Sequence, residues 1–144
     1  MPYSSIFLSQ IVEHFELEVV YDSGDIEERR ITVADVTRPG LQLAGYYDHF
    51  GPDRLQMVGN MEHAFLCNLT SEDRKKSIST LFEKDIPALI ITRNHEVQTE
   101  ILEAAEETKT PVLRTAEATS DFSSEHNTNF LTKLVNKDTY CAGF

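Results

Sequence analysis

Two hydrophobic periods run along this chain, and the points where one gives way to the other mark its elements. Phe7, Ile11 and Phe15 recur at every fourth position with Leu8 and Val12 beside them. That spacing predicts an amphipathic helix, with Ser4 or Ser5 as its cap. From Glu16 to Tyr21 the period falls to two. Leu17, Val19 and Tyr21 share one face while Glu16 and Glu18 take the other, which is the pattern of a half-buried strand. Asp22-Ser23-Gly24-Asp25 supplies turn chemistry, and Arg30-Ile31-Thr32-Val33 alternates again as a short strand. Arg38-Pro39-Gly40 reads as a type II turn, with proline fixing φ at its second position and glycine taking positive φ at its third. From there to Gly59 the chain holds Gly45, Tyr46, Tyr47, Phe50, Gly51 and Pro52, and no period dominates; Leu55, Met57 and Gly59 fit one face of a strand.

The second half is more regular. Thr70-Ser71-Glu72-Asp73 opens a helix, because a hydroxyl can accept an orphan backbone N–H and acids suit the positive end of the helix dipole. Ile78, Leu81 and Phe82 form its buried stripe. Ala88-Leu89-Ile90-Ile91 is a continuous apolar run, as expected of a strand covered on both faces. A helix with Val97, Ile101, Leu102 and Ala105 inward and Glu100, Glu103, Glu106 and Glu107 outward follows, then a short strand at Val112-Leu113-Arg114. Thr119 or Ser120 caps a last helix carrying Phe122, Phe130, Leu131, Leu134 and Val135. Strand, helix, strand, helix from residue 88 to 135 predicts a parallel pair with covering helices and a right-handed crossover. The fold class expected is α/β, with a mixed or partly parallel sheet covered by helices. Residues 1–135 read as one domain and 136–144 as a tail.

Composition changes this picture mainly by exclusion. The 144 residues suffice for a hydrophobic core without staples. A net charge of −11 makes nucleic acid and anionic membrane poor partners. No run approaches the roughly 18 consecutive apolar residues of a spanning helix, and no basic region followed by an apolar stretch opens the chain, so a cytoplasmic location is expected. Cys67 and Cys141 form neither a CxxC pair nor a metal-ligand spacing, which fits a reducing compartment. Cys67, beside Leu66, reads as a small buried hydrophobe. No Walker loop, no GxGxxG loop and no H-x-x-x-H pair occurs, so neither a nucleotide nor a metal is expected to bind by a known motif. His14, His49, His63, His95 and His126 have bland readings; His126, one turn after Phe122, reads as a core-edge residue, and the neighbours in Glu62-His63 and His95-Glu96 diverge.

One constellation remains. Ligands of open parallel sheets gather beyond the carboxyl ends of the strands. Two expected strands end in polar residues, Thr92-Arg93 and Arg114-Thr115, and a helix start at Ser120 lies just downstream. Arg38 joins them if its turn folds over the same edge. Arg38, Thr92, Arg93, Arg114, Thr115 and Ser120 are therefore the candidate residues for a small anionic ligand. The plainer alternative is that these arginines pair with some of the 24 acidic residues.

The order of segments resembles a known family, the N-terminal domain of bacterial HPr kinase/phosphorylase. The resemblance begins at Leu17-Glu18-Val19-Val20-Tyr21. Its longest block runs from Arg30 through Thr37-Arg38-Pro39-Gly40 to Gly45-Tyr46-Tyr47, followed by Pro52-Asp53-Arg54-Leu55-Gln56. It continues in Leu69-Thr70-Ser71-Glu72-Asp73-Arg74, in Asp85-Ile86-Pro87 through Thr92-Arg93, and in Pro111-Val112-Leu113-Arg114-Thr115, and closes with Thr128-Asn129-Phe130-Leu131. The threonine-arginine-proline-glycine block with its Gly-Tyr-Tyr is the most specific part. The resemblance implies a fold similar to the substrate-binding domain of muramyl-peptide ligases. It also implies a place in carbon-source control of sugar uptake, in a family that phosphorylates a serine of HPr with ATP, removes that phosphate by phosphorolysis and assembles as hexamers. ATP and magnesium are then expected only in a C-terminal catalytic domain, with that domain and oligomer mates as partners and HPr as an indirect one. Beyond the last helix the chain reads Asn136 to Phe144 and stops, so none of the family's catalytic motif positions exists in it. The expectation is a non-catalytic regulatory or assembly domain, inactive alone. The alternative is a free-standing module of the same fold that binds an anionic metabolite.

Overall fold

A computed structural model describes residues 6–32, 36–48 and 50–117. Its centre is a five-stranded sheet in the order β2 (Glu18–Tyr21), β7 (Val112–Arg114), β6 (Leu89–Ile91), β5 (Leu55–Val58), β4 (Val36–Thr37). The last four strands run parallel, and β2 closes one edge antiparallel to β7. A separate antiparallel pair joins β1 (Ile6–Phe7) to β3 (Arg30–Ile31). The expected α/β class and the mixed sheet are therefore present.

The central strands are buried on both faces, and side-chain alternation assigns each residue to one of two cores. Leu55, Met57, Ala88, Ile90 and Leu113 face Leu8, Ile11 and Phe15 of the α1 layer (α1, Leu8–His14), together with Ile6 and Ile31. Val58, Leu89, Ile91 and Val112 face the opposite layer, built by α3 (Asn60–Cys67), α4 (Ser71–Phe82) and α5 (Thr99–Thr108). Leu66, Ile78, Leu81, Phe82, Ile101, Ala104 and Ala105 fill that side. Ala104 and Ala105 let α5 lie close against the sheet and α4.

Most expected elements lie where the periodicity placed them. Thr70 caps α4, its Oγ1 accepting the Asp73 N–H at 3.1 Å. Asp22 Oδ1 accepts the N–H of Gly24, which sits at φ +89°, and closes the first turn. At the start of α1, the Phe7 N–H is met by Gln10 Oε1 at 2.8 Å; Ser4 and Ser5 lie outside the described residues. So do the last helix with Thr119, Ser120, Phe122, His126 and Phe130, the tail, and His49 and Val33.

Four expectations are corrected. Arg38-Pro39-Gly40 is no type II turn. Pro39 precedes a short helix, α2 (Gly40–Leu43), its carbonyl accepts the Leu43 N–H at 2.8 Å, and Gly40 has no positive φ. A proline before the first helical residue is as compatible with a helix start as with a turn, and the following Leu-Gln-Leu decides for the helix. Gly59 lies past β5 as the residue before α3, so it shares no strand face with Leu55 and Met57. The one-face pattern of Leu17, Val19 and Tyr21 breaks at an irregularity between Val19 and Tyr21, which leaves Val19 40% exposed and turns Val20 and Tyr21 toward the second core. On α5 the innermost residues are Ile101, Ala104 and Ala105; Leu102 is only half-buried.

Candidate functional site

The carboxyl ends of β4, β5, β6 and β7 form one rim, and the chain leaves β4, β6 and β7 there through the polar residues Arg38, Thr92 and Thr115. After β6 comes Thr92, fully buried, whose hydroxyl donates to the Val58 carbonyl at 2.8 Å and ties β6 to β5. Arg93 and Asn94 then take left-handed backbone, φ 55° and 50°. Two successive non-glycine residues in that region are strained unless the surroundings fix them. Here they are fixed: the Arg93 N–H donates to the Glu117 carbonyl and the Asn94 N–H to the Thr115 carbonyl, each at 2.9 Å. This loop presents the Arg93 side chain to solvent. Thr115 is buried, and its hydroxyl accepts the Glu117 N–H at 3.2 Å.

The other two arginines are engaged. Arg114 makes a two-pronged contact with Glu18, 3.0 Å from each carboxylate oxygen, and reaches the His95 carbonyl at 3.4 Å. Arg38 donates from Nε and Nη2 to Glu62 Oε1 at 3.3 and 3.1 Å. Thr92, Arg93, Arg114 and Thr115 are thus gathered around the ends of β6 and β7. Arg38 stands at the end of β4, against the first turn of α3, and Ser120 lies outside the described residues.

Glu62 had no place among the candidates, yet it organises this edge. Its side chain is buried, and Oε1 also accepts the Gly59 N–H at 2.8 Å, so one carboxylate caps α3 and neutralises Arg38. The sequence signal is Gly59 followed three residues later by glutamate, half of a capping box. That helix start sends His63 away from Glu62, as neighbours on a helix must diverge, and toward Cys67 one turn later.

A second polar cluster forms there. The rings of His63 and His95 stack at 4.1 Å with 11° between their planes. His95 Nε2 donates to Asn60 Oδ1 at 2.7 Å, since an amide oxygen can only accept. Burial first, and then the charges of His63 and Arg93, hold the His95 imidazole below its ordinary pKa. Cys67 corrects the expectation of a buried hydrophobe: it is an exposed free thiol. Its sulfur lies 3.4 Å from His63 Nε2 and 3.3 Å from Gln98 Nε2. Among the described residues no group of three or more His, Cys, Asp or Glu side chains could hold a metal ion, and no helix is long and apolar enough to cross a membrane.

Comparison with known proteins places this geometry. The family described as HPr Serine kinase N terminus matches residues 6–131. The HPr kinase/phosphorylase of Streptococcus agalactiae serotype Ia is 35% identical over 121 residues, covering 84% of this chain and 39% of that protein. That of Streptococcus pneumoniae (strain Hungary19A-6) is 33% identical over 133 residues, covering 92% of this chain and 43% of that protein. The chain therefore spans about two fifths of the length of these relatives. Among solved structures, the CBS and DRTGG domains of the regulatory region of Clostridium perfringens pyrophosphatase, complexed with the activator diadenosine tetraphosphate, match with a TM-score of 0.54 and 15% identity. The match covers 90% of this chain and 45% of that one, and at this identity the likeness is one of fold.

Proposed function

The chain belongs to the family of HPr serine kinase N-terminal domains, and from that premise we propose that it is a regulatory or assembly domain of an HPr kinase/phosphorylase acting in carbon-source control, without phosphoryl transfer of its own. The observation that carries this reading is coverage: the similarity takes in most of this chain but about two fifths of each relative. Phosphoryl transfer needs a phosphate-cradling loop, a magnesium site and a positioned base. None of the six glycines precedes a lysine, and two of the three rim arginines already hold carboxylates. ATP and magnesium then bind in the catalytic part of the relatives' length, and the partners of this domain are that catalytic part and its oligomer mates in the cytoplasm. HPr is met only indirectly. Incubation of the purified chain with HPr, ATP and magnesium, read by mass spectrometry, is expected to give no phosphoserine. Transfer by this chain alone would overturn the reading.

A second reading has its own support. A regulatory region that shares this fold over 45% of its chain was solved with an anionic activator, and Arg93 stands exposed on a fixed loop at the rim. In this reading the chain is a free-standing module that binds an anionic metabolite there, a use of the fold argued by analogy. Thermal-shift measurements with diadenosine tetraphosphate and with phosphorylated sugars test it. A rise in melting temperature that Arg93→Ala abolishes supports the rim, and no rise with any of these compounds rejects it. A reading frame continuing into a Walker loop would decide for the first reading over the second.

A further inference from the structure

The Cys67 thiol is not among the groups the proposed function uses. His63 and Cys67 stand one turn apart on α3, with the imidazole nitrogen 3.4 Å from the sulfur. The ring is held in place by its stack on His95, which is anchored in turn to Asn60. Gln98, the residue at the N-cap position of α5, reaches the sulfur with its side-chain Nε2 at 3.3 Å. Gln98 is only 9% exposed, and its Oε1 is buried without a hydrogen-bond partner. A buried amide oxygen without a donor is costly and calls for an explanation. This one belongs to the same amide group that touches the sulfur. The site therefore holds a proton acceptor, a donor to sulfur and an unused acceptor around an exposed thiol.

We propose that Cys67 is a peroxide-reactive thiol whose sulfenic acid the surrounding groups are arranged to hold. His63 Nε2 takes the S–H proton as the sulfur attacks the terminal oxygen of a hydroperoxide. The S–O bond forms and the O–O bond breaks. The departing oxygen receives the proton from His63 and leaves as water or an alcohol. Sulfur loses two electrons and the peroxide gains them, so the step needs no further reactant. The new S–OH carries the hydrogen that Gln98 Oε1 lacks.

The test treats the full chain with hydrogen peroxide in the presence of dimedone, which traps sulfenic acid, and maps peptides to separate Cys67 from Cys141. The Cys67 adduct is expected to form faster in the folded chain than in the same chain unfolded in urea. His63→Ala should slow the folded-chain reaction roughly a hundredfold or more, in the range that a positioned proton acceptor contributes. No adduct at Cys67, or one formed no faster in the folded chain than in urea, overturns the proposal. A rate unmoved by His63→Ala in a folded variant also overturns it. If that variant does not fold, the comparison of folded and unfolded wild-type chain still decides.

Discussion

At the residue scale the sheet rim is governed by its acids rather than by the arginines that first draw notice. Glu62 has a side chain 6% exposed, against 44% for its partner Arg38. The two members of this ion pair should therefore respond very differently to removal. Glu62→Ala leaves the buried Gly59 N–H without an acceptor and α3 without its cap, a loss of about 2 kcal/mol. Arg38→Ala exposes to water a carboxylate that keeps the Gly59 N–H, and removes one half-exposed partner, a loss of about 0.5 kcal/mol. Urea denaturation of both variants checks the ordering; equal losses would mean that the ion pair, not the cap, stabilises this turn. The same asymmetry explains what could be read from the residues alone. Arg38 and Arg114 stand out because they follow expected strands. Their partners Glu62 and Glu18 are ordinary members of an acidic chain, and only the fold brings together residues 24 and 96 positions apart.

At the scale of elements, α5 ends on Lys109 in the left-handed conformation, φ 56° and ψ 47°. Glycine usually fills that position because a side chain there costs about 1 kcal/mol. Lys109 lends its carbonyl to Arg29 Nη2 at 2.7 Å, a backbone contact that any residue can make. Lys109→Gly is thus expected to raise stability by about 1 kcal/mol, seen as a higher urea midpoint with an unchanged slope; a fall would show that the lysine stem packs usefully. The missing glycine did not hide this helix, because its apolar stripe and the breaker Pro111 were sufficient. Elements with a strong period and a clear boundary, α1, α4, α5, β6 and β7, were legible for that reason. α3 was not. It is eight residues long, only Glu62 and Leu66 on it are buried, and its glycine cap reads equally well as a turn. Hiding α3 also hid the second polar cluster, since His63 and Cys67 become neighbours only once the segment between them is helical. A histidine pair one turn apart is a familiar ligand spacing; a histidine-cysteine pair at the same spacing, His63 and Cys67, carries no such signature.

At the scale of the whole molecule, 24 acids face 13 lysines and arginines. Two bases of α4 sit where acids crowd. Lys75 meets Glu103 and Glu107 across the α4–α5 contact, at 3.8 and 2.9 Å, and Arg74 meets Glu100 at 3.1 Å. These contacts draw the two helices together, but the excess of negative charge remains and pushes the compact state apart. Added salt weakens both effects, so their ranges decide the outcome. The attractive contacts are short, and the Arg74–Glu100 pair is sheltered, with side chains 16% and 14% exposed. The repulsion acts across the whole molecule, over distances comparable with a Debye length of about 30 Å at 0.01 M and about 10 Å at 0.1 M. Between those ionic strengths salt removes mostly repulsion. The melting temperature is therefore expected to rise as sodium chloride is increased from about 0.01 M to about 0.15 M. Chloride is the suitable anion, because sulfate or phosphate would also stabilise by exclusion from the surface and by occupying an anion site at the rim. A melting temperature that falls over this range would mean that the helix-bridging ion pairs outweigh the net charge. In that case Lys75→Ala should abolish most of the salt response; with repulsion dominant, it should instead make the response larger, because the variant carries one more uncompensated negative charge.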